Sequence, residues 1–313
     1  MTFRQQWWWA TLVILCGLLA GCGFYRELRD ATRDLKVIER RPDRHLKKKI
    51  AMAVFTDLTP FEKAGFKATY RKVLRDLLQE KCAGNTLFEY RTADSPLPLT
   101  KLPRNKAGLV DNLAVAETGR RLGANVLLIG AVFDISGKEE KRGIWWFRGS
   151  RSYIQIQLLV EAYEMETGAK ILDESVSGEI RADPYDVEQL EQVQFTPTPE
   201  LKEKLVDLAR RLGKKVCKEV SKLPWRAFVV SVGEEIRISA GKEAGVKQGA
   251  RFDVYENTRV MESRIGQQFF VPGAHVGRIE IIRVDSNSAT GKLISGEPPS
   301  VGNSLRVASK KKK

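Results

Sequence analysis

The sequence changes character at Pro224, and this change restricts the folds open to the chain. Before Pro224, long stretches with apolar residues at helical spacing alternate with apolar, strand-like runs. After it, short alternating runs are separated by glycines and polar turns, which is typical of a small β barrel or sandwich. The sequence therefore predicts an α+β domain over residues 47–223, with helices packed on a mixed sheet, and a small all-β, barrel-like domain over residues 224–309.

The same patterns place individual elements. Predicted helices cover residues 66–81, 110–122 and 199–222. Predicted strands of the first domain cover residues 50–55, 87–90, 125–132, 153–164 and 169–180. Those of the second domain cover residues 227–231, 235–239, 251–255, 276–284 and 288–295. Because residues 125–132 are apolar on both faces, we expect that strand at the centre of its sheet.

Residues 1–21 have the pattern of an export signal. Arg4 precedes an apolar run of 14 residues, from Trp7 to Ala20, and polar sequence follows at once. A helix that crosses a membrane needs about 20 apolar residues, so this run is too short to cross one. The sequence predicts a signal peptide that is removed.

The end of this run, Leu19-Ala20-Gly21-Cys22, resembles the lipobox of bacterial lipoprotein precursors. The resemblance implies cleavage between Gly21 and Cys22 and palmitate-like acyl chains on Cys22. The many arginines and few apolar residues that follow predict a basic tether, so that residues 22–46 comprise the lipidated cysteine and this tether. Gly23 after the cysteine implies the outer membrane, with the protein facing the periplasm. Each buried methylene contributes about 0.8 kcal/mol, so several acyl chains anchor a protein almost permanently. The alternative is an ordinary secretory signal with an incidental cysteine.

The chain is strongly basic, with 53 Lys and Arg against 39 Asp and Glu, a net charge of +14. Basic proteins favour anionic partners. For an exported chain we expect anionic lipid headgroups or peptidoglycan carboxylates and no nucleic acid; a generally basic surface without a dedicated ligand is the alternative. The basic tail at residues 310–313 is predicted to be a solvated terminus.

Two further features suggest specific contacts. Cys82 and Cys217 remain after the signal and lipid cysteines are set aside, and they form either a disulfide or two separate buried thiols. The segment Trp145-Trp146-Phe147-Arg148 falls between two predicted strands, where an exposed tip would meet a partner or a membrane interface. The alternative is that these aromatic side chains fold back onto the core.

Three stretches resemble two known families. Residues 121–132 and the hairpin around Glu166-Thr167-Gly168 resemble a periplasmic superfamily that includes the TolB N-terminal domain, the curli secretion lipoprotein and activators of cell-wall synthases. Residues 241–255 resemble the turn and strand of the C-terminal domain of flagellar assembly protein T. Gly241, Gly245 and Gly249 are interpreted as turn residues, because spaced glycines without a following helix do not cradle a phosphate.

In the flagellar family, domains like these two follow one another in the same order and help to build a periplasmic ring. The resemblance implies a non-enzymatic scaffold that docks on an envelope complex, either as a single copy or as a homo-oligomer, and the lipobox makes this scaffold a lipid-anchored one. This chain departs from the family by lacking its additional N-terminal domain and by carrying a lipobox. The alternatives are a secretion-channel subunit of the curli type and a regulator of a cell-wall synthase.

An enzyme is the least favoured class. His45 and His275 stand in no metal-ligand spacing, and the chain has neither a paired-cysteine zinc motif nor a nucleophile-elbow pattern. We therefore expect no catalytic residues, no metal and no cofactor.

Overall fold

A computed structural model describes residues 45–82, 85–89 (backbone only), 102–106, 108–142, 146, 149–190, 195–264 and 266–308. Cys22, the signal peptide, the tether up to residue 44 and the tail at residues 310–313 lie outside the described residues. Asp43–Lys313 form one compact unit, which contains both the α+β part and the barrel.

The α+β part holds one mixed sheet. Its strands are β1 (Lys48–Asp57), β2 (Asn85–Glu89), β3 (Val126–Arg142), β4 (Gly149–Glu164) and β5 (Lys170–Ala182). Its helices are α1 (Phe66–Lys81), α2 (Asn112–Arg121), α3 (Pro184–Gln189) and α4 (Pro199–Lys222). The strand order is β2-β1-β3-β4-β5. β1 runs parallel to β2 and β3, while β4 is antiparallel to β3 and β5.

The two faces of this sheet have different partners. On one face, side chains such as Met52 and Leu128 join the core formed with α1 and α4. On the other face, Leu127 and Tyr163 join a smaller cluster with Val115 of α2 and Phe228 of the barrel. Because successive residues of a strand point to opposite faces, this double burial explains why β3 is apolar at both sets of positions.

Helix α4 shows how the sequence fixes one wall of the core. Leu201, Leu205, Leu208, Leu212 and Val216 recur at helical spacing, and all are fully buried. Each such side chain contributes about 1.5–3 kcal/mol of burial energy. The helix begins where the Thr198 hydroxyl accepts a hydrogen bond from the Leu201 N–H, at 3.3 Å, and Pro199 occupies the first turn.

The C-terminal part is a closed barrel with the strand order β11-β12-β7-β6-β13-β8. These strands are β6 (Ala227–Val232), β7 (Ile236–Ile238), β8 (Arg251–Tyr255), β11 (His275–Val284), β12 (Ala289–Gly296) and β13 (Ser304–Val307). β9 (Arg259–Glu262) and β10 (Gln268–Val271) form a separate two-stranded ribbon. Trp225 and Phe252 stack in the barrel core, with ring centroids 5.3 Å apart. Leu46, which the sequence assigns to the end of the tether, is buried in the same core.

The predicted bounds of α1, α4 and β8 agree with the structure. The end of β3 was predicted wrongly: the strand continues past Val132 to Arg142. Its outer half is largely exposed and rich in charge, so it lacks the apolar signal on which the prediction rested. The sequence also gave no indication of α3, β9, β10 and β13, which are short.

A disulfide joins Cys82, just after α1, to Cys217 on α4, with the two Cα atoms 5.3 Å apart. Cys82 is buried in the main core and Cys217 packs against it. The bond therefore links the two helices that cover the same face of the sheet.

The three turn glycines serve the backbone in different ways. Gly245 (φ 83°) and Gly249 (φ 77°) adopt the left-handed conformation that other residues rarely occupy. A Cβ atom on Gly245 would also come within 2.6 Å of the His45 carbonyl oxygen, whereas one on Gly249 would meet open space. Gly241 has an extended backbone but packs so closely on the Asp285 carbonyl that no side chain fits.

Candidate functional site at the junction of sheet and barrel

The centre of the candidate site is Arg120, in the last turn of α2 and only 5% exposed. Its Nε donates a hydrogen bond to the Met165 carbonyl (3.0 Å) and its Nη1 to the Asn257 carbonyl (3.1 Å), while its Nη2 donates to the Glu166 carbonyl. Its guanidinium carbon lies 3.8 Å from the centroid of the Phe270 ring. The side chain therefore connects α2 both to the β4–β5 turn and to the ribbon beside the barrel.

The positive charge of Arg120 is stabilised by main-chain carbonyl groups and not by a carboxylate of a described residue. Burial lowers the pKa of Arg120 to about 10, partly opposed by the charges of Glu166 and Glu117, so the guanidinium remains charged at neutral pH. Within the described part of the chain, no carboxylate oxygen forms a salt bridge with it. Its three hydrogen bonds all go to main-chain carbonyls.

The carboxylate of Glu166 forms the second polar tie across the junction. It accepts hydrogen bonds from Arg226 Nε (2.8 Å), Ser304 Oγ (2.9 Å) and Arg306 Nη2 (3.1 Å). Burial alone would raise the pKa of Glu166, but the nearby Arg226 and Arg306 charges and these hydrogen bonds outweigh it and lower the pKa. Arg306 also stacks on the Tyr255 ring, 4.2 Å from its centroid. A turn of the α+β part is thus fixed to the barrel.

Lys49 forms a third tie at the root of β1. Its Nζ donates to the Ser239 and Asn287 carbonyls, each at 3.1 Å, and its N–H donates to Asn125 Oδ1 at 2.8 Å. Burial lowers the pKa of Lys49, partly offset by the charge of Glu243. Lys49 follows two other lysines, a run of charge that is typical of a solvated strand edge, yet its side chain lies buried at the junction.

A groove of about 460 Å³ opens beside Arg120. We call it the junction groove; it is lined by side chains of α2, β6 and the β9–β10 ribbon and by the turn at Val301-Gly302. Three of its valines are about half-exposed: Val230 at 38%, Val260 at 48% and Val301 at 59%. Glu117 and Arg121 add one charge of each sign to its lining.

Two small features shape the floor of the junction groove. Gly302 has φ +90°, and a Cβ atom placed there would lie 4.0 Å from Arg120 Nη1 and near no other atom of the described residues, so the absence of a side chain leaves open space beside that nitrogen. Asn257 donates through Nδ2 to the Glu166 carbonyl (2.9 Å), while its buried Oδ1 accepts no hydrogen bond from any described residue.

The sequence did not identify this site. An arginine near the C-terminus of a helix is usually exposed, and its positive charge interacts favourably with the helix dipole. Arg121 is exposed in this way. Arg120 is instead buried by residues that lie far from it along the chain, and these residues also accept its hydrogen bonds. A local clue does exist: a side chain on Gly119 would overlap Met165, so α2 approaches the β4–β5 turn unusually closely.

The aromatic segment predicted between two strands falls at the tip of the β3–β4 hairpin, whose last register pair is Arg142 with Gly149. Trp146 is 76% exposed. Trp145, Phe147 and Arg148 lie outside the described residues. Below the tip, Arg142 and Lys138 hold the Glu179 carboxylate, and their hydrogen bonds lower the pKa of Glu179 to about 2.

Among the described residues, no three His, Cys, Asp or Glu side chains lie close enough together to hold a metal ion. No helix in the same part of the chain combines the length and the apolar character that crossing a membrane requires.

No protein-family model matches this chain. No curated protein matches it either. Some solved structures resemble part of it. A hypothetical protein of Chlamydia trachomatis is 14% identical, with a TM-score of 0.34, over 56% of this chain and 98% of that one. A lipoprotein of Neisseria meningitidis is 11% identical, with a TM-score of 0.31, over 55% of this chain and 99% of that one.

A minor lipoprotein of Acinetobacter baumannii is also 11% identical, with a TM-score of 0.28, over 56% of this chain and 96% of that one. Several of the structures that this chain resembles are therefore lipoproteins by name. Because their TM-scores are low, we take nothing about the function of this chain from the likeness.

Proposed function

We propose that this chain is a non-enzymatic, lipid-anchored scaffold of the bacterial envelope that docks on a larger periplasmic complex through the junction groove. The observation that carries this proposal is the groove itself, which three partly exposed valines and a buried arginine line together. Contiguous exposed apolar surface with a polar surround is typical of protein-interaction sites.

The buried ties support a docking role because they prepare the surface in advance. The groove takes its walls from both parts of the fold, so its shape depends on their relative position. Arg120, Glu166 and Lys49 each bond across that boundary with buried groups. A surface that is already rigid loses less conformational entropy when a partner binds.

The lipid anchor comes from the sequence alone. The lipobox at residues 19–22 favours acylation of Cys22, and Gly23 favours the outer membrane. The resemblance of residues 241–255 to flagellar assembly protein T favours a ring-like periplasmic assembly as the docking partner. The curli-type channel subunit and the synthase regulator are the competing roles.

Lipidation is tested by mass spectrometry of the mature protein. We expect a new N-terminus at Cys22 that carries acyl chains, and a Cys22→Ala variant that stays uncleaved or is released from membranes. An unmodified residue 22 in the native protein would contradict the anchor.

Docking is tested by photocrosslinking in intact envelopes, with a benzophenone amino acid at Val260. The matched control is Met261, which is its neighbour on β9 and is 60% exposed, but does not line the groove. We expect crosslinks to an envelope protein from position 260 that are much weaker from position 261. Equal crosslinking from both positions, or none from either, would contradict docking through the groove.

The identity of the crosslinked protein separates the competing roles. Flagellar basal-body proteins support the ring assembly, and a cell-wall synthase supports the regulator. Crosslinks only between copies of this chain, in a detergent-resistant complex, support the channel subunit.

A further inference from the structure

We propose that the junction groove binds the C-terminal carboxylate of a partner protein whose last residues are apolar. This inference rests on the docking role proposed above and specifies the chemistry of the partner. It follows from the charge at the floor of the groove, the apolar character of its sides and its opening to solvent.

The charge at the floor is positive and lacks a contacting counter-charge. Arg120 borders the groove, and its guanidinium is bonded only to carbonyl oxygens among the described residues. Each Nη of a guanidinium carries two N–H donors, and Nη1 uses one of them on Asn257. Because the Nη1 atom faces the open position at Gly302, its second N–H can meet an oxygen that enters the groove.

A single negative charge suits this floor better than a multiply charged anion. Arg120 and Arg121 attract an anion, but Glu117 lines the same groove and repels one. Hydrogen bonds between a guanidinium and a carboxylate are roughly twice as strong as those between neutral groups. These three side chains give the lining a net charge of +1, which one carboxylate balances and a doubly charged phosphate exceeds.

The sides of the groove suit apolar side chains. Val230, Val260 and Val301 are half-exposed, and Phe270 forms part of the wall between them and Arg120. Val260 and Phe270 are paired across the ribbon, so their side chains share the face that borders the groove. The C-terminus of a peptide with apolar last residues offers a carboxylate next to apolar side chains. The carboxylate matches Arg120 at the floor of the groove, and the apolar side chains match the valines at its sides.

A purely structural role of Arg120 leaves the valines unexplained. The three carbonyl bonds and the contact with Phe270 account for an arginine that fixes α2 to the ribbon. They require no open groove and no exposed apolar side chains beside it. The peptide terminus accounts for both.

The test measures binding of fluorescein-labelled hexapeptides to the mature full-length protein in a mild detergent, by fluorescence anisotropy. The panel shares a Gly-Ser spacer and varies the last two positions over Val, Leu, Ile and Phe, each peptide with a free or an amidated C-terminus. We expect at least one free-acid peptide to bind, and amidation to weaken its binding by about tenfold or more. If no member binds below about 1 mM, or if acid and amide bind equally, the proposal is wrong.

Variants locate the peptide. Val260→Asp brings a negative charge into the groove and should weaken binding of the free acid by about tenfold or more, whereas Met261→Asp, with the same charge on the opposite face of β9, should change it by less than about twofold. These two positions are exposed, so neither variant depends on refilling a core. Equal effects of the two variants would overturn the assignment to the groove.

Octanoate distinguishes a peptide terminus from a fatty acid, because it offers the same carboxylate on an acyl chain. Binding of octanoate without binding of any peptide would overturn the peptide assignment. Peptide binding without crosslinks from position 260 in envelopes would contradict the docking role and leave the carboxylate site standing. Crosslinks from position 260 without peptide binding would support the docking role and contradict the carboxylate site.

Discussion

The guanidinium of Arg120 lies against the ring of Phe270, with Cζ 3.8 Å from the ring centroid. The two residues stand in different parts of the fold, one on α2 and the other on the β9–β10 ribbon. The ribbon is held to the α+β part by a second bond, from the Phe270 N–H to the Thr167 carbonyl at 3.0 Å. These two contacts hold the ribbon against the α+β part, and Phe270 and Val260 of the ribbon line the junction groove.

Arg120→Ala should destabilise the protein strongly. The substitution removes the contact with Phe270 and one donor from each of three buried carbonyl groups, of which, among the described residues, only the Glu166 carbonyl keeps another donor, Asn257 Nδ2. Such losses cost about 3 kcal/mol or more. Urea unfolding followed by circular dichroism measures the free energy of unfolding. The matched control is Arg121→Ala, one residue away and exposed, which should change it by less than about 0.5 kcal/mol. Similar losses in both variants would show that Arg120 is not a tie.

Loss of the Cys82–Cys217 disulfide should lower the free energy of unfolding by up to about 5 kcal/mol. The bond restricts the unfolded chain, and a chain without it gains conformational entropy when it unfolds. The two cysteines are separated by 135 positions, which makes the effect large. Thermal unfolding with and without reductant measures it. The double variant Cys82→Ser with Cys217→Ser should unfold at the same temperature in both conditions. A wild-type protein insensitive to reductant would contradict the prediction.

Glu166 should make the protein acid-sensitive. Its pKa is lowered in the folded state, while in the unfolded chain it titrates near 4.5. Below that value the unfolded chain binds the proton more readily, so the free energy of unfolding falls as the pH falls through the lowered pKa. Urea unfolding at several pH values between about 3 and 7 should show this loss, with a shallower slope in Glu166→Gln.

Glu164 provides the control for that experiment. Burial, and then the charge of Glu166, raise its pKa above 4.5. The folded state therefore binds the proton more readily, and its contribution to stability increases as the pH falls from the raised pKa towards 4.5. Glu164→Gln should remove that increase and leave the loss at lower pH. The same pH profile in both variants and the wild type would refute the assignment.

Gly245→Ala and Gly249→Ala should differ in cost. Both place an alanine at a positive φ, which costs about 1 kcal/mol or more. Only at position 245 does the added Cβ approach a backbone oxygen, that of His45 at 2.6 Å. We therefore expect Gly245→Ala to lower the free energy of unfolding by at least about 1 kcal/mol more than Gly249→Ala, measured in urea. Equal costs would show that the segment at His45 moves aside freely.

The sequence predicted those elements whose signal is local. Helix α4 carries its buried leucines at helical spacing between Thr198 and Pro224, so both its face and its ends can be derived from the sequence. The outer half of β3 carries no such signal. There, charged side chains such as Lys138 and Arg142 pair across strands with Glu179, and the strand is visible only once its neighbours are known.

The candidate site could not be derived in this way. Gly119 is a local sign that α2 packs closely on a neighbour. Nothing else near Arg120 in the sequence indicates that it is buried, because the three carbonyls that accept its hydrogen bonds lie 45, 46 and 137 positions away. Main-chain carbonyls occur at every position and leave no mark in a sequence. The sequence also does not show that Val260 and Val301 line a groove, since both follow the patterns of ordinary strand and turn positions.

The bonds of Lys49 also have a consequence for how the chain is made. Its ammonium group needs the Ser239 and Asn287 carbonyls, which follow it by 190 and 238 positions. A ribosome produces the root of the first strand early and its acceptors near the very end of synthesis. A shortened product without the barrel lacks both acceptors, so the ammonium group of its Lys49 has to stay in water, and the root of β1 can close only once the barrel has been made.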